Sequence, residues 1–203
     1  MRLNKYYLYI CIIKRKRLII MPKIIAKKQD WVNLGYKLFS EQGISGIVIE
    51  KMSEKLKVNK SSFYWHFKTK KEFIQQLTEF WITNETEQII RLTNNENSTL
   101  QKFKTLIAET YKKKPFLDFN FYLKRYAKKE KKIQLIIDKI DNQRIEYVKK
   151  LLREMGYSMQ DANIKSALLY KHLIGYHEMI RYKKQSTDYL REIKIEINQF
   201  IKY

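Results

Sequence analysis

The chain has 203 residues, 44% of them hydrophobic, which is enough to bury a core and argues against global disorder. Five glycines and two prolines supply too few turn signals for a multi-stranded sheet, so the expected fold is all-α. Lys and Arg outnumber Asp and Glu by 42 to 21, and a formal charge of +21 favours a polyanion, either nucleic acid or an anionic membrane surface.

The basic residues are spread over the whole chain, as a general drift of composition toward lysine would also leave them, so charge alone does not choose a partner. A single cysteine, Cys11, rules out an internal disulfide and fits a reducing cytoplasm. No apolar run approaches the roughly 18 residues of a membrane span, so no membrane partner is expected.

Residues 1–20 hold Arg2, Lys5, Lys14, Arg15, Lys16 and Arg17, no acidic residue, and an apolar run from Tyr6 to Ile13. A secretory signal places its charges before the apolar run and a small-residue cleavage site after it, whereas here the densest charge cluster follows the run and Leu18-Ile19-Ile20 offers no such site. Met21-Pro22-Lys23 reads as a protein start. The expectation is a basic extension over 1–20 that either precedes the native initiator or forms a mobile arm.

From Ile24 to Gln42, Val32, Leu34, Leu38 and Phe39 mark one helical face, with Trp31 at its edge and Gly43 as the stop. A second helix over 47–56 follows from Ile49, Met52 and Leu56. Asn59 is suited to cap a short third helix from Lys60 to His66 or Phe67. Thr69-Lys70-Lys71-Glu72 has the pattern of a capping box and opens a long helix to about Leu92. The polar stretch 93–98 reads as a loop. Further helices are expected over 99–113, 116–129, 131–155, 160–183 and 187–201, with Pro115 and Gly156 between them.

The stretch Val58–Leu77 carries the most chemical information. Phe63 and Phe67 give its short helix an apolar side, and Lys60, Ser61, Ser62, Tyr64 and His66 occupy the other. Small hydroxyls, a lysine and an aromatic with a polar tip suit phosphate oxygens and base edges in a DNA major groove. Tyr64 and His66 lie two residues apart, so they diverge around the helix and can hold phosphates on either side of a groove. Lys70 adds its charge to the free amides of a helix start. Trp65 has two readings, a contact with a thymine methyl or a cover over the helix junction.

Leu38-Phe39, Gly43, Val58, Lys60, Phe63-Tyr64, His66-Phe67, Lys70 and Glu72 recur at the offsets of one family. On these residues the chain resembles the TetR family of bacterial transcriptional regulators, by motif over Trp31–Leu77 and elsewhere by helix count and order. The resemblance implies about nine helices: a three-helix DNA-binding domain with a helix-turn-helix over 21–69, then a helical ligand-binding and dimerisation domain over 70–203. It places Lys60, Ser61 and Ser62 against bases, and Tyr64, His66 and Lys70 on the backbone; Trp65 is grouped with the base contacts. Three departures stand out. Ile47-Val48 replaces a threonine pair, Ser53 an alanine, and Lys57 the glycine of the turn, where a left-handed residue is expected.

Aromatic residues of the C-terminal region, namely Phe103, Tyr122, Tyr126, Tyr147, Tyr170 and Tyr176, line an effector cavity if the resemblance holds, and a packed core if it does not. Ala167, Leu168, Tyr170, Lys171, Ile174, Gly175, Leu190, Ile193 and Ile197 are expected in a dimer interface built as a four-helix bundle. His172 and His177 are five apart, which is not the spacing of a helical metal pair, and read as packed or interface histidines. No catalytic residues, metal site or cofactor are expected. The function expected is a cytoplasmic homodimeric DNA-binding regulator, more a repressor than an activator, which binds a pseudo-palindromic operator and is released by a small, partly apolar effector. The alternatives are an architectural or division-linked DNA binder of the same fold without such a switch, and a membrane-surface protein using the basic arm.

Overall fold

A computed structural model describes residues 26–116 and 118–203. The basic extension, Cys11 and the expected helical residues before Ala26 lie outside the described residues. The described elements are helical throughout. α1 spans Lys28–Gln42, α2 Ile49–Lys55, α3 Ser61–His66 and α4 Lys70–Ile82; a π-helical turn over Thr83–Glu87 joins α4 to α5, Gln88–Asn94. Then come α6 (Thr99–Tyr111), α7 (Asp118–Ala127), α8 (Lys131–Glu154), α9 (Met159–Ile180) and α10 (Tyr189–Ile197). With α4, the π turn and α5 counted as one rod, nine helices are described.

Local chemistry explains the start of this order. α1 stops at Gly43, whose φ of 63° suits glycine, and a side chain there would also meet the Tyr122 ring at 2.6 Å. A short 3₁₀ turn, Gly43–Gly46, follows. α2 begins at Ile49 rather than Ile47, because Ile47 and Val48 are non-helical and Ile47 is spent on the core. α2 then ends in a Schellman motif: the Val58 amide donates to the Ser53 carbonyl and the Lys57 amide to that of Glu54, both at 3.0 Å. The left-handed position of that motif is Lys57, with φ of 55°, as its replacement of glycine implied.

Asn59 caps α3 by accepting from the Ser61 amide at 2.9 Å. Thr69 caps α4 by accepting from the Glu72 amide at 3.1 Å. The expected capping box is altered, since Glu72 returns its carboxylate to the amide of Lys68 (3.1 Å) and not to that of Thr69.

The remaining ends shift by a few residues. Thr93 lies inside the rod, buried, with its hydroxyl 2.9 Å from the Ile90 carbonyl and 2.5 Å from the Tyr147 hydroxyl. It is therefore not the loop residue its polarity suggested. α7 begins at Asp118 instead of Phe116, α9 ends at Ile180 instead of Lys183, and α10 runs from Tyr189 to Ile197 instead of 187–201.

Two apolar cores organise the packing. The first gathers Trp31, Phe39, Met52, Phe63, Phe67 and Phe73 around α1–α4, and continues through Phe119, Leu123, Ile133 and Ile137 of α7 and α8. Its hydrophobic contacts therefore cross from the helix-turn-helix into the C-terminal helices. α1 and α4 approach closely because residue 35 is glycine: a Cβ there would fall 2.3 Å from the Phe73 ring. The second core joins Phe103, Tyr111, Leu152, Ala162, Leu169, Ile193, Ile197 and Ile201, all C-terminal. A fully buried Phe or Leu in either core contributes ~1.5–3 kcal/mol of transfer free energy.

Candidate nucleic-acid interface and helical cavity

α3 has two unlike sides. Phe63 and Phe67 are fully buried, with ring centroids 5.1 Å apart, and Phe63 also meets Trp31 at 5.3 Å and Phe73 at 5.1 Å. This aromatic base fixes the orientation of a helix only six residues long, which could not hold its shape alone. On the opposite side Lys60 and Ser61 are exposed, Ser62 is half-buried, and Tyr64 and Trp65 are 53% and 80% exposed. The hydroxyl-and-lysine side is therefore free of the chain's own rod. So much exposure removes the reading of Trp65 as a cover over the helix junction.

Three of these residues already have internal partners. Lys60 Nζ lies 4.0 Å from Glu50 Oε1, a solvent-exposed pair worth little. Lys70 Nζ donates to the Ile44 carbonyl at 3.4 Å, and partial burial lowers its pKa. His66 Nε2 sits 2.8 Å from the Ala26 carbonyl. That bond ties the end of α3 to the chain entering α1, and leaves only the other ring nitrogen for an outside partner. Sequence spacing placed His66 on the polar side but could not show this tether, because its partner lies 40 residues away.

Between the rod and helices α6–α9 lies a cavity of about 420 Å³. Trp81, Ile89, Leu106, Val148, Leu169 and Leu173 form apolar wall, and Arg144, His177 and Arg181 add polar groups. Of the six aromatics expected there, Tyr147 and Tyr170 line it. The other four face elsewhere. Phe103 is buried in the second core against Tyr203 (4.9 Å), and Tyr122 covers Gly43. Tyr126 packs on the first core, and Tyr176 sits 5.2 Å from the Tyr111 ring with its hydroxyl accepting from Gln185. Residue type could not separate them, since a packed core and a cavity wall use the same aromatics. Arg144 was missed although it left a signal: it interrupts the stripe Ile133, Ile137, Ile140, Val148, Leu151 at helical spacing.

Burial pushes the Tyr170 phenol up to about 12, so it stays protonated and donates to Asp141 Oδ1 at 2.6 Å. His172 joins the Tyr111 hydroxyl (2.7 Å) to Glu196 (3.1 Å). His177 Nε2 lies 2.7 Å from the Thr110 carbonyl, its Nδ1 is buried without a partner among the described residues, and burial lowers its pKa below the ordinary 6.5. The unfolded chain therefore binds this proton more readily than the folded one. The contribution of neutral His177 to stability is complete above about pH 6.5 and lost as pH falls below it. Thermal unfolding from pH 7.5 to 5.0 should show this loss, and His177→Gln should flatten it; an equal slope in both proteins would refute the assignment.

On the outer side of α9, Ile164, Leu168, Lys171, Ile174 and Gly175 are exposed, followed by Met179 at 73% and Tyr182 at 92%. Leu190 of α10 is also exposed. Three residues expected in the interface are turned inward. Ile193 and Ile197 are fully buried in the second core, and Tyr170 lines the cavity, because the narrow apolar side of α10 is needed to close the chain's own core. Ala167 is half-buried.

Residues 33–77 match the family described as bacterial regulatory proteins, tetR family. Among solved structures, a transcriptional regulator from Rhodococcus sp. Rha1 is similar at 13% identity and a TM-score of 0.69, covering 86% of this chain and 96% of the other. A Clostridium perfringens protein proposed as a fatty acid metabolism regulator follows at 19% identity and 0.64, covering 86% and 99%. The ketosteroid transcriptional regulator KstR2 of Mycobacterium tuberculosis is similar at 14% identity and 0.62, covering 88% and 96%. No curated protein is significantly similar in sequence. Among the described residues no helix is long and apolar enough to cross a membrane. The family match covers the helix-turn-helix segment, and the described helices around it share the fold of these solved transcriptional regulators.

Proposed function

We propose that the protein is a homodimeric transcriptional repressor of the cytoplasm that binds a pseudo-palindromic DNA operator through α3 and is released by a small, partly apolar effector. The observation that carries this reading is α3 itself, whose buried Phe63 and Phe67 hold Ser61, Tyr64 and Trp65 outward. In this reading residues 21–69 form the DNA-binding unit and 70–203 the effector and dimerisation unit. Lys60, Ser61, Ser62 and Trp65 read bases, while Tyr64, Lys70 and the free edge of His66 hold phosphates.

The rod supplies the coupling. Its first residue is Lys70, and Trp81, Thr86 and Ile89 along it face the cavity. An effector that displaces the rod moves both α3 helices of a dimer, and ~1–3 kcal/mol of coupling changes operator occupancy several-fold or more. The π turn at Thr83–Glu87 is a place for such a displacement to be absorbed.

Selection of bound sequences from random DNA at defined salt tests the operator reading; recovery of no inverted repeat would refute it. With that operator in hand, Lys60→Ala or Ser62→Ala should lose ~1–3 kcal/mol of discrimination between bases. Tyr64→Phe and Lys70→Ala should weaken all sequences alike, and Lys70→Ala should reduce the slope of log K against log salt by about 0.9. Equal losses on operator and random DNA for all four variants would contradict this division of roles.

A further inference from the structure

We propose that the effector is an apolar monoanion, with its carboxylate seated on Arg144 and its body against the aliphatic wall of the cavity. This rests on the effector reading above and adds the ligand's chemical class. Arg144 lines the cavity from α8 and is half-buried. Its Nε and Nη2 donate to Thr86 Oγ1 at 3.0 and 2.7 Å, and its Nη1 to the Tyr170 hydroxyl at 3.4 Å. The guanidinium stands over the Trp81 ring, 4.8 Å from its centroid. It is thus held in place by neutral groups, and among the described residues no carboxylate lies within 4.0 Å of it.

Of the other cations of the wall, Lys112, Arg125 and Lys128 are exposed to solvent, and three more are neutralised. Lys114 pairs with Glu85 at 2.8 Å, Lys124 with Asp141 at 2.9 Å, and Arg181 with Asp118 at 3.0 Å and also with Glu178. Asp141, which the Tyr170 hydroxyl links to Arg144, is occupied by Lys124 and that hydroxyl. Three of the five guanidinium N–H donors are used, and two remain, the number that a bidentate carboxylate accepts. A fixed, partly desolvated cation without a counter-charge is costly, and a ligand carboxylate relieves that cost while aliphatic side chains cover the rest of the molecule. The unpartnered Asn120 Oδ1 and His177 Nδ1 belong to the same wall and would accept from a hydroxyl farther along the ligand. Through Nε and Nη2 the same guanidinium ties α8 to Thr86 in the π turn, which connects this site to the rod.

The test measures equilibrium binding of decanoate, decan-1-ol and decylamine to the full chain below their micellar concentrations, together with operator affinity in the presence of each. Decanoate should bind ~10–100-fold tighter than decan-1-ol, the range expected for a charged hydrogen-bonded contact. Arg144→Gln should erase that preference, and Arg144→Lys should retain part of it. Binding of the alcohol or amine as tightly as the acid to the unaltered protein would overturn the anion proposal while leaving an effector cavity in place. Failure of all three probes to bind or to alter operator affinity would overturn the proposal and count against the effector reading too.

Discussion

Leu168→Glu should yield a folded monomer whose operator affinity is lower by ~10²–10⁴, the avidity gained when two recognition modules act together. Leu168 is exposed on the outer side of α9, so glutamate there costs the isolated chain little. In a two-fold dimer the same residue enters twice, which places two carboxylates in an apolar seam with no partner for either. The neighbourhood suits such a seam. Ile164, Ile174 and Met179 share the exposed side of α9, and a Cβ built at Gly175 would meet nothing within 4 Å, leaving room for a second helix. Sedimentation of the native protein and of Leu168→Glu, together with operator titrations of each, checks the expectation. A variant that remains dimeric with native operator affinity would remove α9 from the interface.

Phe63→Ala should cost ~3–5 kcal/mol of folding stability, as expected for a large, fully buried aromatic. For a chain of this size that lowers Tm by about 6–20 °C. The cost arises because Phe63 is the point where three elements meet: its ring lies 5.3 Å from Trp31 of α1 and 5.1 Å from Phe73 of α4. Removing it opens a cavity under α3, which is too short to keep its orientation without that anchor. Trp65→Ala is the contrasting control. At 80% exposure it should change stability by no more than ~0.5 kcal/mol and act only on DNA binding. Denaturant unfolding of both variants separates the two roles. A loss below about 1 kcal/mol for Phe63→Ala would show that α3 is held by something other than this aromatic cluster.

Much of the DNA-facing end was legible because its determinants are local. Gly43, Asn59, Thr69 and the left-handed Lys57 act within a few residues of themselves, and the alternation of Phe63 and Phe67 with Ser61, Tyr64 and Trp65 sorts the two sides of α3 without reference to the remaining chain. Helix ends were less legible. Thr93 looks like a loop residue from its polarity, yet its hydroxyl is satisfied by the Tyr147 hydroxyl, 54 residues away.

The amino-acid sequence by itself determined the all-α class, the order of the helices, and the polar and apolar sides of α3, since these follow from periodicity, caps and turn residues. Only the tertiary structure decided that Phe103, Tyr122, Tyr126 and Tyr176 close cores while Trp81 and Arg144 border a cavity, that Ile193 and Ile197 are used inwardly, and that His66 is tethered to Ala26. The physical reason is common to all of them: helical periodicity names the apolar side of an element, but which neighbour that side meets, or whether it meets empty space, depends on packing between segments far apart in the chain.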